Sequence, residues 1–360
     1  MTIPSPEITI QDQKIGLNHP TYFVADIAAN HDGDLDRAVE LIRLAKAAGA
    51  DAAKFQNFRA TKIVSDYGFR NLGGQLSHQA SWKQSVVDVY DGASVPFDWT
   101  PVLKEACDEC QIHYFSSPYD YEAIEHLDPY VPAFKAGSGL MSWPDALIRM
   151  AKLGKPLLIA SGASDISDVV RAMRVVEPYN NQIVLFQCNT NYTASEGNYD
   201  HIHLNVLQTY KSMFPNVILG LSDHTQSPAP VVGAVAMGAR VIERHFTDSN
   251  DREGPDHKFA LNPDNWAAMV EQVRILERAL GSSDKFIAGN EQDTYLVQRR
   301  CLRAARDIQA GEVLTADMIE PLRPNVKGAI QPREIDDLIG KTVRAGMEFG
   351  QDFKWMDVSE

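Results

Sequence analysis

Two histidines and two lysines pose the first chemical question in this chain. The segments Ser222-Asp223-His224 and Glu243-Arg244-His245 each close a short apolar run. If those runs are neighbouring parallel strands, their ends lie about 5 Å apart, and the two imidazoles can share one divalent ion. Two protein ligands leave coordination positions open, which suits a Lewis acid that polarises a substrate oxygen. The plainer reading is two unrelated histidines, one capping a helix and one satisfied in the core. Glu243 and His245 are two residues apart and share the interior face of their strand, while Arg244 turns outward.

Lys54 in AAKFQNF and Lys135 in AFKAGS sit inside otherwise apolar runs. An unpaired ammonium is expensive to bury. Either each lysine has a carboxylate partner, or the two converge on an anionic substrate. Gln56 shares the face of Lys54 by period two. Ser138, Ser161-Gly162 and Ser222 stand at further run ends, where hydroxyls and exposed amides can take a phosphate.

These residues need a scaffold, and the hydrophobic rhythm supplies one. Strand-like runs fall at 21–28, 51–56, 113–117, 132–138, 155–161, 182–188, 217–222 and 240–246, each followed by a helix-length amphipathic segment such as DLDRAVELIRLAKAAG. Strands alternating with helices make βαβ units and a parallel sheet. Eight units close into a (β/α)8 TIM barrel, with the strand C-termini and following loops as the active face; a doubly wound open sheet is the competing arrangement. An irregular stretch over 61–95 reads as an extended loop on that face. Residues 1–281 are assigned to the barrel and 282–300 to a linker. From Cys301 the rhythm changes to short strands broken by turns, with one short helix at REIDDLIGKTV, so 301–360 reads as a small β-rich domain.

Composition narrows the functional classes. The 360 residues carry a net charge of −14 with no basic cluster, which argues against a nucleic-acid or anionic-membrane surface. No apolar run approaches the ~20 residues that span a bilayer, and the first residues lack a signal-peptide pattern, so a cytoplasmic location is expected. Cys107 and Cys110 form a CxxC inside a helical pattern with no second pair, and a plain helix accounts for them.

Several ordered motifs resemble one family. FVADIAANHDGDLDRA is similar to an opening AEIGxNHNGD, GADAAKFQNFRATKIV to GADAVKFQTFKAEKLV, and YFSSPYD to FLSTPFD. PAFKAGSG, IASGAS, QCNTNYTAS, GLSDHT, VIERHFT and REGPDHKFAL follow in the same order. Together they resemble the sialic acid synthase family, and residues 301–360 resemble its C-terminal antifreeze-like (SAF) domain of β-clip type. The resemblance implies condensation of phosphoenolpyruvate with an aldose to give a 2-keto-3-deoxy sugar acid and phosphate. It implies that His224 and His245 hold Mn2+, with Mg2+ or Co2+ as alternatives. Lys54, Lys135, Ser138, Ser161-Gly162 and Ser222 would hold phosphoenolpyruvate. Ser117, Thr190, Tyr192 and Asp256 would surround the acceptor, and Asp26 would take the place of a first-strand glutamate. Arg323 would reach the site of a partner subunit, which implies a domain-swapped homodimer.

Departures from the family pattern fall near the acceptor. Asp26 is shorter by one methylene than the family's glutamate, and GSGL places Leu140 where the family has a carboxylate. CNTNYT and RPNVKGAI also differ from the family's CTSNYP and its shorter RPGxGI. The expectation is retained phosphoenolpyruvate and metal chemistry with an altered acceptor sugar. The alternatives are a synthase for another ulosonic acid, or a barrel that only binds sugars, for which Leu140 is the best support. A metallohydrolase would want a first-strand HxH, and the first strand has none.

Overall fold

The computed structural model describes residues 5–72, 76, 79–80 and 82–360. Chain contacts divide it into two compact units, Met1–Gly281 and Ser282–Glu360. The first opens with an antiparallel hairpin, β1 (Glu7–Ile10) and β2 (Gln13–Gly16). There follow β3 (Tyr22–Asp26), β4 (Ala52–Asn57), β5 (His113–Pro118), β6 (Phe134–Ala136), β7 (Leu157–Ala160), β8 (Ile183–Cys188), β9 (Ile218–Asp223) and β10 (Ala239–His245).

The pairing order β5-β4-β3-β10-β9-β8-β7-β6 decides between barrel and open sheet. A doubly wound sheet keeps its first strand inside and its last at an edge. Here the last strand pairs in parallel with the first, Glu243 opposite Val24 and His245 opposite Asp26. Sequence neighbours pair through the rest, and β5 and β6 adjoin at the seam. The sheet is a nearly closed (β/α)8 barrel, and each strand read from the sequence is one of its staves.

Two cores flank the staves. Outward side chains such as Phe23, Phe55, Phe134, Ile159 and Ile242 pack against the helices. Inward Tyr22, Val24, Phe115, Leu158, Val184, Phe186 and Val241 fill the barrel, joined by Ile8, Ile10 and Ile15 of the hairpin. The hairpin was not read from the sequence, although EITI alternates exposed and buried residues. The inward residues give way to charge near the C-terminal ends of the strands. Period two therefore turns Asp26, Lys54, Lys135 and Glu243 into the interior.

The loop after β4 is more regular than the sequence suggested. Its described part holds short helices at Ala60–Ile63, Asp66–Arg70 and Val86–Ala93; residues 73–75, 77, 78 and 81 of that stretch lie outside the described residues. Among the described residues no helix is long and apolar enough to cross a membrane.

The second unit has its own core of Leu302, Ile308, Leu314, Ile330, Leu338, Val343 and Phe353. Its strands are β11 (Cys301–Ala304), β12 (Ile319–Leu322), β13 (Thr342–Val343) and β14 (Val358–Ser359), paired β11-β12 and β13-β14. The segment read as a linker contains a helix, Gln292–Gln298, and groups with this unit.

Candidate active site

A cavity of about 760 Å³ is lined by residues from the C-terminal ends of the strands and the loops that follow. Its floor is a set of four buried charges. The Lys54 ammonium lies 2.7 Å from Asp26 and 3.8 Å from Glu243, and Lys135 lies 3.3 Å from Glu243. Both readings of the lysines are realised: each has a carboxylate partner, and both face one cavity. Packed apolar residues would be as stable as such a set or more so, so its presence points to chemistry.

The two carboxyls are pushed apart. Burial raises the Asp26 pKa and outweighs the attraction of Lys54, taking it to about 6. Burial acts the same way on Glu243, but Lys135 and Lys54 overcome it and hold that group down at about 2. Glu243 also accepts a hydrogen bond from the Ser222 hydroxyl, 3.1 Å.

The histidines stand where the register requires. Glu243 pairs with Ser222 and Arg244 with Asp223, so one residue on, the His224 and His245 rings come within 5.4 Å of each other. Arg244 turns outward to Asp223 and the carbonyl of Ser227. Burial lowers the pKa of His224 to about 3 and that of His245 to about 4, with their mutual repulsion adding to the effect on His224. Both rings are therefore neutral near pH 7, the state a metal needs.

His224 Nδ1 lies 2.8 Å from the Asn189 carbonyl. A carbonyl only accepts, so this nitrogen carries the proton and Nε2 keeps its lone pair. Among the described residues His245 Nδ1 is buried without a hydrogen-bond partner, as are Asp26 Oδ1 and Glu243 Oε2. Orphaned acceptors beside a pair of neutral imidazoles fit a divalent cation. Among the described residues no group of three or more His, Cys, Asp or Glu is arranged to hold a metal.

Tyr192 and Phe259 pack against both imidazoles. Asp256 accepts from the Ala29 amide at 3.2 Å and lies 3.8 Å from His245. Its loop is pinned by His257, which bridges Asp32 (3.0 Å) and Thr247 (2.8 Å). Arg37 ties the opening NHDGD motif to Asp248 through two bonds, 2.8 and 2.7 Å.

The cavity wall also contains Gln56, Ser138, Thr190 and Ser222. Three assigned residues stand behind it. Ser161 follows Ala160 by one, so parity turns it outward. Its hydroxyl donates to the Phe186 carbonyl and accepts from Tyr210, each at 2.8 Å, so its one proton is already engaged and is not free for an anionic ligand. Gly162 donates its amide to Ser138 at 3.1 Å. Ser117 is inward but fully buried, its hydroxyl accepting from the Lys54 ammonium at 3.4 Å. Arg323 lies exposed in the second unit.

Residues 41–285 match the NeuB family model and residues 299–358 match the SAF domain. The chain belongs to the NeuB family. N-acetylneuraminate-9-phosphate synthase of Homo sapiens is 32% identical over 93% of this chain and 91% of its own length. The N,N'-diacetyllegionaminic acid synthase of Campylobacter jejuni is 30% identical over 89% and 95%. Among solved structures, the N-acetylneuraminic acid synthetase of Leptospira borgpetersenii, in complex with citrate, matches with a TM-score of 0.70. It is 26% identical, over 81% of this chain and 95% of that one.

Within the NeuB barrel, the sequence reading left Glu243 without a role and passed over Tyr119. Parity already placed Glu243 beside His245. Tyr119 carries a different signal: a Cβ on Gly137 would lie 2.6 Å from its hydroxyl, so the glycine of AFKAGS makes room for the tyrosine of SSPYD. Leu140, on the turn Ser138–Ser142, lines the cavity near Trp143.

Proposed function

We propose that this chain condenses phosphoenolpyruvate with an aldose, giving a 2-keto-3-deoxy acid of the nonulosonic type and phosphate. The observation that carries the reading is the pair of buried lysines facing one cavity beside two neutral imidazoles on adjacent strands. The names of the relatives support a product of this class.

In this reading Lys54 and Lys135 meet the anionic groups of phosphoenolpyruvate, with Ser138 on the wall of the same cavity and Ser222 hydrogen-bonded to Glu243 of the floor. Their charge counters the negative charge that shifts in the transition state. His224 and His245 would hold a divalent ion, Mn2+ being the first choice, which when bound withdraws charge from a carbonyl oxygen. C3 of the enol ester forms a bond to the aldehyde carbon, and the aldehyde oxygen takes a proton. Water adds at C2, and phosphate departs by cleavage of the C–O bond. Asp26, poised near pH 6 between Lys54 and His245, is placed to hold the transferring proton. The aromatic wall of Tyr192 and Phe259 keeps bulk water from the imidazoles. Arg323 is proposed to serve the site of a second copy of the chain in a domain-swapped homodimer.

The acceptor is proposed to differ from N-acetylmannosamine. Leu140 can neither accept a proton nor a hydrogen bond, so a sugar donor facing it would lie buried and unpaired. That costs about 1–3 kcal/mol, one or two orders of magnitude in preference. Phosphate release from phosphoenolpyruvate against N-acetylmannosamine, mannose, arabinose and 2,4-diacetamido hexoses, with product masses, tests both statements. No phosphate release with any aldose, metal supplied, refutes the activity; a clear preference for N-acetylmannosamine, about tenfold or more in kcat/KM, refutes the altered acceptor.

A further inference from the structure

The opposite end of the barrel carries a second cavity, of about 200 Å³, lined by residues that include Pro6, Leu17, Lys211, Phe214, Val217 and Arg240. Its walls are mostly apolar, with no carboxylate among the described lining residues. Two cations border it. Lys211 is exposed and makes no ion pair among the described residues. Arg240 is only 8% exposed.

The backbone aims Arg240 there. The β9–β10 register runs Ala239 to Leu219 and then Val241 to Gly220, so Arg240 is the extra residue of a β-bulge, a device that redirects a side chain. Nη1 is anchored to the carbonyls of Val235 (3.1 Å) and Ala239 (2.7 Å). Among the described residues Nε has no hydrogen-bond partner but is closed off from solvent, and Nη2 makes no bond. Nη2 is therefore the guanidinium nitrogen left to donate a charge-assisted hydrogen bond to an anion. The neighbouring acid Glu277 is already engaged by Arg274 at 3.0 Å and by the Thr21 amide.

We propose that this cavity is a second ligand site, separate from the catalytic one, for a small organic carboxylate with an apolar body. The bulged Arg240 binds the carboxylate, Lys211 stands at the mouth, and Pro6, Leu17, Phe214 and Val217 hold the carbon skeleton. Arg240 is the one buried cation and balances one negative charge; Lys211 is exposed at the mouth and screened by water, so the second charge of a phosphate monoester would be buried poorly compensated, which is costly. A monoanion is therefore the fitting class.

Calorimetry on the full-length chain tests this, with benzoate and butyrate as probes and inorganic phosphate and neutral benzamide as comparison arms. Expected is saturable binding of a carboxylate, with benzamide and phosphate at least about tenfold weaker. Arg240→Gln should weaken it by about tenfold or more. Because Arg240 also anchors backbone, two surface variants keep the test independent of folding: Lys211→Glu should weaken binding several-fold, and Leu17→Trp should block it. Absence of saturable carboxylate binding, equal binding of benzamide, or indifference to Lys211→Glu and Leu17→Trp each overturns the proposal. So does competition with phosphoenolpyruvate, which would place the probe in the catalytic cavity.

Discussion

At the residue scale, the site is a balance of charge in a dry floor. Two lysines offset two carboxylates, so the set is close to neutral before any anion arrives, despite a chain charge of −14. Lys135→Met removes the ammonium paired with Glu243 alone. It should cost roughly 1.5–3 kcal/mol of phosphoenolpyruvate affinity, about ten- to a hundredfold in Kd, with acceptor KM little changed. Unaltered affinity by calorimetry would remove Lys135 from the substrate's reach. The histidines make a separate prediction for the metal-free protein. Their folded pKa values, about 3 and 4, lie below the ordinary 6.5. They contribute stability above about pH 6.5 that is lost as pH falls, because the unfolded chain takes up two protons the folded chain refuses. Asp26 works against this between its ordinary 3.8 and about 6, where the folded chain holds a proton the unfolded chain has released. Glu243, lowered to about 2, adds to the loss only below its ordinary 4.5. For these four groups the balance from pH 6 to 4.5 is one proton, a loss of about 1.4 kcal/mol per pH unit. Denaturant melts of the His224→Asn/His245→Asn double variant should lose that slope or reverse it; an unchanged slope would mean these rings are not the acid-sensitive groups. Residue types announced this chemistry early, because charge inside apolar runs demands an explanation. What composition could not convey was that Glu243 sits between both lysines, a contact made across β4, β6 and β10.

At the element scale, strand parity separates residues that line the cavity from those that support it. Lys54, Gln56, Lys135, Ser222, Glu243 and His245 follow the inward phase. Ser161 is out of phase, and the phosphate-site motif that drew attention to it hid a parity already visible in LLIAS. Gly162 shows what close packing of strand ends requires. A Cβ there would stand 2.5 Å from the Thr190 methyl, 2.7 Å from the Ser138 hydroxyl and 3.0 Å from the Cys188 sulfur. Gly162→Ala should therefore displace two cavity-lining side chains and cost about 1–3 kcal/mol, at roughly 2–4 °C in Tm per kcal/mol. Gly139 offers a control on the same face, since a Cβ at that position meets nothing within 4 Å, and Gly139→Ala should melt like the parent. Equal melting of the two variants would show that the strand ends can relax around the added methyl. The eight strands were legible because a buried parallel strand is a short β-branched run bounded by turns. The hairpin at 7–16 was less so, since two four-residue strands carry little pattern and their role, plugging the barrel, depends on residues far along the chain.

At the scale of the whole molecule, the two units have separate cores, and the break near residue 281 follows the change from helix-length periods to short strands. The segment 282–300 read as a linker because its helix, Gln292–Gln298, has no buried face; without an apolar stripe, sequence gives no sign of packing. The proposed swapped dimer can be tested without knowing how the units are arranged. Arg323→Ala damages only the contribution of the second unit, and Lys135→Met damages only the barrel. If each site combines the barrel of one subunit with Arg323 of the other, a heterodimer of the two variants holds one site with both lesions and one with neither. Random exchange of subunits makes about half the dimers mixed, so about a quarter of all sites become intact. Mixing two nearly inactive variants under exchange conditions should then restore about a quarter of the parent activity. If Arg323 serves its own barrel, every site keeps a lesion and mixing restores nothing; if it serves none, Arg323→Ala alone keeps the parent activity. Exchange is verified by mass spectrometry of the mixed dimers, so a null result after confirmed exchange would exclude the swapped arrangement and leave the assignment of the barrel intact.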